Sequence, residues 1–319
     1  MALHLLRRLG LAIPSVLGIS VVLYLLLSLA PGDPFEALAG NPNIPPEVAI
    51  ELRAKFGLDE SFWSRYISWF SAMVSGDWGF SFASRIDVLT LVGQRVQPTL
   101  LIGGGALLLA LIAAIPVGVI AGLKPGSFAD MVANLVAFVG FSLPTFFTGM
   151  ILILVFGIWW SWLPTIYDAR LPQTGGAWVW AQLRQMILPV IVLAAVQFGV
   201  YVRIIRAAVI EVSAQDHVRT AVAKGLRRRR VVWLHIFRNA TLPLITVVAL
   251  QLPSLFGGAI ITEQIFRVPG VGSLLIEAIL SNDTPVIMAV AFISSCLVVM
   301  SNILADILCL WVDPRSRRS

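Results

Sequence analysis

Apolar residues occur in long runs along the 319-residue chain, separated by shorter polar intervals. A membrane-spanning helix needs about 20 predominantly apolar residues, and six runs approach or exceed that length. The predicted spans are residues 9–29, 100–123, 131–166, 186–202, 240–262 and 284–311. The pattern therefore predicts an all-α integral membrane protein with six transmembrane helices.

The first run resembles a secretory signal peptide, because Arg7 and Arg8 precede it and small residues follow it. Its 21 residues exceed the roughly 7–15 of a signal-peptide core. Pro31 also follows directly after the position at which cleavage would occur. We therefore expect residues 9–29 to remain as the first span.

The third run contains 36 residues without a charge, which is more than one span requires. Dividing it at Pro144 would leave a first part of 13 residues, too short to cross a bilayer. The sequence therefore predicts one span that is kinked near Pro144 and ends in the interfacial aromatic residues Trp159, Trp160 and Trp162.

Positive charge is distributed unevenly between the polar intervals. Six spans place both termini on one side, and that side holds 15 of the 23 Lys and Arg residues. Short loops rich in Lys and Arg stay in the cytoplasm, so both termini are predicted to be cytoplasmic. The fourth helix is expected to continue past Arg206 into the same compartment.

The spans and intervals also predict a domain organisation. Residues 1–98 comprise the first helix and an extracytoplasmic segment, 99–312 form a five-helix membrane core, and 313–319 form a cytoplasmic tail. The core includes a cytoplasmic coupling loop at 203–239 and two outer loops at 163–185 and 263–283.

Composition supports a membrane protein and excludes several functions. The chain is 58% hydrophobic and 13% charged, whereas soluble domains carry about 25% charged residues. Its net charge of +6 lies in short loops, which is not the arrangement of a nucleic-acid-binding domain. Cys296 and Cys309 are 13 residues apart and the three histidines are scattered. Neither a disulfide framework nor a metal site is predicted.

Catalytic motifs are absent from the sequence. It contains no Gly-Lys dipeptide and hence no phosphate-binding P-loop, and it has no H-E-x-x-H or G-x-S-x-G pattern. Ionisable residues inside a membrane are functional candidates, and Asp306 is the one that the predicted spans single out. The favoured interpretation is that Asp306 is a structural partner for a basic side chain or a backbone amide. Because the catalytic motifs are absent, the chain is not predicted to be an enzyme.

The most distinctive polar stretch is residues 216–225, followed by the basic run 227–230. Its small side chains would let a helix approach a partner closely, and Gly225 suits a helix C-terminus where the chain turns sharply. The basic run at 227–230 does not require a partner. Retention of the loop in the cytoplasm and contact with anionic lipid headgroups would each explain its positive charge.

Several motifs together resemble one transporter family. Val-Arg-Thr-Ala-Val-Ala-Lys-Gly at 218–225 is followed by Arg-Asn-Ala-Thr-Leu-Pro at 238–243. Further matches are Pro-Gly-Asp-Pro at 31–34, Ser-Leu-Pro-Thr-Phe at 142–146, Glu-Gln-Ile-Phe at 263–266, Pro-Gly-Val-Gly at 269–272 and Asp-Pro-Arg at 313–315. The chain resembles the dipeptide/oligopeptide/nickel branch of ATP-binding-cassette importer permeases, and its long segment after the first span is similar to that of the first permease subunit. In the wider family the signature is Glu-Ala-Ala, three residues, Gly and a later Leu-Pro, from which Arg219 and Thr220 depart.

The resemblance implies a type I importer permease fold in the bacterial inner membrane, and it implies roles for particular residues. The helix that couples to the ATPase would contain Asp216, Val218, Arg219, Thr220, Ala221, Ala223, Lys224 and Gly225. Supporting positions would be Arg227, Arg228, Arg238, Asn239 and Pro243. The translocation path would pass near Gly104, Pro144, Gln197, Gly257, Gly258 and Glu263.

The resemblance also implies partners: a second homologous permease, two ATP-binding subunits and an extracytoplasmic substrate-binding protein. ATP and magnesium would bind to the ATPase subunits, with no cofactor on this chain. Di- and oligopeptides are the expected solutes. Nickel or a metal chelate is the alternative within the family, and an intramembrane enzyme or a channel subunit is the alternative from another class.

Overall fold

The computed structural model describes residues 2–29, 60–168, 176–252 and 259–312, and these are almost entirely helical. The helices are α1 (Ala2–Leu29), α2 (Phe62–Val74), α3 (Val88–Leu123), α4 (Phe128–Ser142), α5 (Thr145–Trp159), α6 (Gly176–Ser213), α7 (Asp216–Ala223), α8 (Arg228–Gln251), α9 (Ile260–Phe266), α10 (Val271–Leu280) and α11 (Thr284–Val312). The segments Ile153–Trp159 of α5 and Val231–Phe237 of α8 are π-helical. In these four ranges the single β-type contact is an isolated bridge between Phe80 and Asp87. The all-α fold class is therefore confirmed.

Five of these helices, namely α1, α3, α6, α8 and α11, are long and apolar enough to cross a membrane. A sixth candidate span is formed by α4 and α5 together. Six spans result if the α4–α5 pair counts as one, in agreement with the number predicted.

The α4–α5 pair corrects the prediction of a kinked span. A break does occur at Leu143 and Pro144, where the backbone is extended, but the two helices bend by 102°. Proline lacks the N–H that a continuous helix needs, and it disfavours helical backbone in the preceding residue. The outcome is two short helices joined at a corner.

The fifth span begins earlier than predicted. α8 covers Arg228–Gln251, whereas the span was predicted at 240–262, so Arg228, Arg229, Arg230 and Arg238 lie in the helix instead of in a loop. A hydropathy window misses this, because charged residues can occupy the helical turns at the bilayer surface. The predicted outer loop 263–283 is likewise mostly helical, since it contains the end of α9 and all of α10.

Other helices also extend beyond their apolar runs. α3 starts at Val88 rather than at residue 100, and α6 has 38 residues. At 1.5 Å per residue, α6 is about 57 Å long, compared with roughly 30 Å for the hydrocarbon core. The prediction that this helix continues past Arg206 is confirmed, because it ends at Ser213.

The chain divides into two compact units. One comprises residues 6–96 and 274–299, and in it the rings of Tyr24, Tyr66 and Trp69 form an aromatic cluster that Phe292 joins through Trp69. The Asp283 carboxylate accepts hydrogen bonds in the same unit from the Ser81 hydroxyl (2.5 Å) and from the backbone N–H groups of Phe82 and Ala83 (both 3.1 Å).

The other unit comprises residues 1–5, 97–273 and 300–319. In its core α3 crosses α6 closely. A Cβ atom on Gly118 would lie 2.8 Å from the Cβ of Ile205, and one on Gly122 would lie 2.7 Å from the Cβ of Val209. The small residues at these two positions therefore permit the close approach of the helices.

Candidate functional site

The candidate coupling helix forms a separate short element. α7 has eight residues, follows extended backbone at Gln215, and ends at Lys224 and Gly225. Gly225 has a φ of +71°, its N–H donates to the Val222 carbonyl (2.9 Å), and the Leu226 N–H donates to the Ala221 carbonyl (3.3 Å). This pair of bonds is the Schellman arrangement at a helix end. The prediction that Gly225 caps this helix is confirmed.

Two faces of α7 differ sharply in exposure. Val218 and Ala221, three residues apart, are 5% and 4% exposed and belong to the main hydrophobic core. The other predicted coupling residues are exposed: Asp216, Arg219, Thr220, Ala223, Lys224 and Gly225. Val222, which the sequence analysis did not select, is 60% exposed. Ala221 is therefore covered by the chain's own core, and the exposed face presents Val222 and Ala223.

Polar groups in the N-terminal half of α8 support α7. Asn239 Nδ2 donates to the His235 carbonyl (2.8 Å) and lies 3.4 Å from His217 Nε2, which is itself 3.2 Å from the same carbonyl. His217 is on α7, so these contacts join the two helices. The sequence analysis selected Asn239 but missed His217. The only indication for His217 was its position in the polar stretch 216–225.

The remaining support positions lie along the same helix. Arg227 immediately precedes α8, Arg228 is its first residue, Arg238 is exposed, and Pro243 lies inside the helix. On α7, Asp216 and Arg219 form an ion pair of 3.7 Å with side chains that are 97% and 74% exposed. A pair so exposed contributes little to stability, which leaves both charges available to a partner.

A buried ion pair lies between the start of α4 and α6. Asp130 accepts two hydrogen bonds from the Arg206 guanidinium, at 2.5 and 2.8 Å. It also accepts from the Gly126 N–H (2.8 Å) and Asn134 Nδ2 (2.7 Å). Its side chain is 5% exposed. The pair fixes the α3–α4 turn to α6, seven residues before α6 ends.

The sequence analysis missed this pair because Asp130 falls in the interval between two predicted spans and Arg206 in a predicted cytoplasmic extension. The available signal was two opposite charges at the edges of apolar runs. Ionisable residues in such places usually pair with one another.

Glu263, which the sequence placed near the translocation path, is held by buried hydrogen bonds. Its side chain is fully buried and accepts from the Thr99 hydroxyl (2.7 Å) and from the Ser273 N–H (2.8 Å). The Thr99 hydroxyl oxygen in turn accepts from the Val271 N–H (2.8 Å). A Cβ on Gly270 would overlap the Glu263 carboxylate. Glu263 therefore fixes the α9–α10 turn to α3.

The other predicted path residues lie on three different elements. Gly104 is on α3 with no atom within 4 Å of an added Cβ, Pro144 is exposed at the α4–α5 corner, and Gln197 is half-buried on α6. The nearby Tyr201 hydroxyl, also on α6, donates to Gln251 Oε1 of α8 (2.7 Å). Gly257 and Gly258 lie outside the described residues.

Among the described residues, no group of three or more His, Cys, Asp or Glu side chains could hold a metal ion. Cys296 is a free thiol on α11. Asp306 is half-buried on the same helix.

Two family models match the chain and together cover most of its length. Residues 114–318 match the "binding-protein-dependent transport system inner membrane component", and residues 1–101 match the N-terminal model for the membrane component of such systems. The chain belongs to this permease family. The resemblance found in the sequence is therefore confirmed.

Similar proteins cover nearly the whole chain. The dipeptide transport system permease protein DppB of Escherichia coli (strain K12) is 38% identical over 98% of both chains. The oligopeptide transport system permease protein AppB of Bacillus subtilis (strain 168) is 37% identical over 99% of both. The di/tripeptide transport system permease protein DppB of Pseudomonas aeruginosa (strain UCBPP-PA14) is 36% identical over 98% of this chain and 97% of its own.

Family membership and the apolar helices define the protein's class and location. It is a multi-pass membrane protein with the fold of importer permeases, and its family consists of inner-membrane components. The family is one of transport permeases rather than of enzymes.

Proposed function

We propose that this chain is the permease subunit of an ATP-driven, binding-protein-dependent importer of di- and oligopeptides. The observation that carries the proposal is α7, a short helix whose inner face is sealed by the core and whose outer face is exposed. Relatives that cover 98–99% of this chain are named as dipeptide and oligopeptide permeases, which supports the solute class.

The construction of α7 suits a mechanical contact. Val218 and Ala221 anchor it to the core, Gly225 ends it sharply, and Asn239 connects it to α8 through His217. The exposed Val222 gives the outer face an apolar centre, with Thr220 and Ala223 leaving room for close approach. Such a rigid projection would transmit force from a docked ATPase to the spans.

The buried ion pair between Asp130 and Arg206 would transmit that force to further helices. α7 follows α6 directly, and Asp130 and Arg206 tie α6 to the start of α4. A displacement of α7 would then move α4 and α6 together. Rigid-body rocking of helix groups is a known class of transition, and here it would alternate access between the two sides.

In this assembly two ATP-binding subunits dock on α7 and on its equivalent in a second homologous permease. ATP and magnesium bind to those subunits, and this chain carries neither a cofactor nor a catalytic residue. An extracytoplasmic binding protein delivers the peptide to the opposite face.

The solute would pass along α6 and the α4–α5 corner. The break at Pro144 leaves backbone groups without helical partners, and such groups are tolerated at membrane depth only in protein or beside a water-filled cavity. Pro144 is exposed in the single chain, so in the assembly it would either lie against the second permease or line the passage. Gln197 and Gln251, both half-buried, would supply hydrogen-bonding groups for a peptide.

The orientation that this model requires places both termini and α7 in the cytoplasm. Single cysteines at Ser75 and Ser281, in a background with Cys296→Ser and Cys309→Ser, should react with an impermeant thiol reagent in cells whose outer barrier admits it. A cysteine at Gln215, which is exposed beside α7, should be protected until the membrane is permeabilised. Labelling of Gln215→Cys in intact cells would overturn the orientation.

Docking is tested with Ala223→Trp, which adds bulk to the exposed face of α7 without disturbing the core. If an ATPase packs there, overpacking of about 1–3 kcal/mol should lower association about 5- to 150-fold. The matched control is Ala129→Trp, an exposed alanine in the first turn of α4. The measurements are the amount of ATP-binding subunit that copurifies and the uptake of a labelled dipeptide.

Normal copurification and normal uptake with Ala223→Trp would refute docking through α7. Equal losses in both variants would do the same, because bulk outside α7 would then matter as much. Normal copurification with impaired uptake would place the function of Ala223 after docking.

A further inference from the structure

A cation and an aromatic ring lie together on the surface where α4 packs against α6. Arg203 is exposed on α6, and its guanidinium carbon lies over the Phe141 ring of α4, 5.6 Å from the ring centre. Phe141 is itself 51% exposed. A ring face attracts a cation within about 6 Å. Phe141 therefore holds the charged end of Arg203 in place.

The two helices run antiparallel in close contact. A Cβ on Gly140 would lie 2.7 Å from the carbonyl oxygen of Ala195. A Cβ on Gly199 would overlap the carbonyl oxygen of Ala137. Later residues of α6 thus lie beside earlier residues of α4. This register shows which way a side chain between the helices extends.

The Arg203 side chain extends along the apolar part of α6. The Phe141 Cβ is 3.2 Å from the position that a Cβ on Gly199 would take, and Gly199 precedes Arg203 by one helical turn. Helical side chains lean toward the N-terminal end of their helix. For Arg203 that direction leads into the apolar run 186–202 and away from Arg206. The charge therefore lies beside a candidate membrane span.

The chain does not neutralise this charge within its described ranges. No carboxylate there lies within ion-pair distance of Arg203. Asp130 is the single acidic residue of α4 and is already bonded to Arg206, and α5 has no acidic residue. Ionisable groups beside apolar spans face a bundle interior or a water-filled cavity, where they mark solute pathways. An anion from outside this chain is therefore the expected partner.

The surroundings of Arg203 suit a carboxylate that has an apolar group beside it. A guanidinium binds a carboxylate through two parallel hydrogen bonds. Phe138 precedes Phe141 by three residues, so both rings share one face of α4, and Phe138 is 60% exposed. Every unmodified peptide ends in a carboxylate next to a side chain. The C-terminal residue of a peptide therefore matches both parts of this surface.

We propose that Arg203 binds the C-terminal carboxylate of a peptide during its passage, with Phe141 as the positioning residue. This inference rests on the proposed import of peptides and names the solute group that the permease itself recognises. Phe141 lies three residues before Pro144, at the corner along which the solute is proposed to pass. Because all unmodified peptides share the carboxylate, the contact accepts different sequences and disfavours solutes without an anionic end.

The test compares a labelled dipeptide with the same dipeptide amidated at its C-terminus. Uptake is measured in cells that contain the complete transporter and no other peptide importer. Recognition of the carboxylate by the binding protein contributes the same factor in every variant. The ratio of the two uptake rates, compared between variants, therefore isolates the contribution of this chain.

The expected change appears with the free dipeptide. Arg203→Gln lowers its uptake at least about tenfold, because hydrogen bonds between charged groups are lost, and changes uptake of the amide less than about twofold. Arg203→Lys loses less, since an ammonium keeps the charge but not the paired hydrogen bonds. Phe141→Ala lowers the ratio about two- to fivefold. The control Arg229→Gln removes an exposed arginine of α8 and leaves the ratio unchanged.

A second measurement detects contact directly and does not depend on uptake of the amide. The photoreactive residue p-benzoylphenylalanine replaces Phe138, and the transporter is irradiated during import of the labelled dipeptide. Label should attach to this chain, and adding Arg203→Gln should reduce the attached label about tenfold. Undiminished labelling in the presence of Arg203→Gln would refute the carboxylate contact.

Two uptake results would also overturn the proposal. Equal losses of both peptides in Arg203→Gln, with normal copurification of the ATP-binding subunit, would assign Arg203 to an ion pair within the assembly. Unchanged uptake of both peptides would mean that Arg203 does not act on the solute. If the wild-type transporter imports neither peptide, the proposed solute class is wrong as well. Import by the wild type combined with either of the first two results refutes the carboxylate site alone.

Discussion

α7 and the Glu263 turn illustrate opposite uses of a recognisable motif. In α7, two side chains point into the core and most of the others are exposed. Around Glu263, the carboxylate is fully buried, and Thr99 and Ser273 donate to it. Both stretches matched the family pattern in the sequence, and both were interpreted as functional. Burial distinguishes them, because α7 has an exposed face whereas the Glu263 carboxylate lies inside a structural junction.

The comparison shows that a motif match identifies restricted residue types, but not whether contacts inside the chain or contacts with a partner restrict them. Near Glu263 the constraint is internal, since Gly270 has no room for a Cβ beside the carboxylate. On α7 the exposed residues have no such internal reason for their small size. The following substitutions test that distinction, from the largest expected effect to the smallest.

Asp130→Ala should have the largest effect on stability. It leaves the Arg206 guanidinium in a partly buried site without its carboxylate, and breaking a buried pair costs about 3–5 kcal/mol. The chain should accumulate poorly or melt at a lower temperature in detergent. The control is Asp216→Ala, which breaks an ion pair of exposed side chains and should leave the melting temperature unchanged. Equal melting of the two variants would show that the buried pair contributes nothing beyond a surface pair.

Glu263→Ala should destabilise by about 2–4 kcal/mol, because the buried Thr99 and Ser273 donors lose their acceptor. Glu263→Gln, which keeps one oxygen acceptor, should lose less. The matched control is Glu277→Ala in α10, whose side chain is 56% exposed. Thermal denaturation of the purified protein measures all three. If Glu263→Ala melts like Glu277→Ala and impairs only transport, Glu263 has a functional role instead.

Ala221→Trp and Ala223→Trp compare the two faces of α7 directly. Ala221 is in the core, so the larger side chain should destabilise by about 1–3 kcal/mol. Ala223 is exposed, so its variant should melt normally and affect only subunit association. A normal melting temperature for Ala221→Trp would mean that α7 can move away from the core.

Gly225→Ala should have the smallest effect, about 1 kcal/mol. Its added Cβ meets no atom within 4 Å, so the cost comes from the positive φ alone. Gly225→Asn should cost less, because asparagine tolerates left-handed backbone better. Both variants are compared by thermal denaturation. A larger loss for Gly225→Asn than for Gly225→Ala would indicate a steric effect instead of a conformational one.

The apolar runs alone predicted the fold class and the number of candidate spans. This succeeds because the bilayer imposes a minimum length on every apolar helix that crosses it. The motifs and their spacing also identified the family. The position of Gly225 predicted the helix cap, since few residues besides glycine adopt a positive φ easily.

The helix ends, the corner at Pro144 and the pairing of buried charges were decided only by the tertiary structure. Hydropathy does not register helical turns outside the apolar core, so α8 began 12 residues earlier than predicted, at Arg228 rather than at residue 240. Asp130 and Arg206 are 76 positions apart in sequence, and nothing local indicates that they meet. Whether a small residue such as Ala221 or Ala223 faces the core or the solvent also depends on the helices that pack beside it.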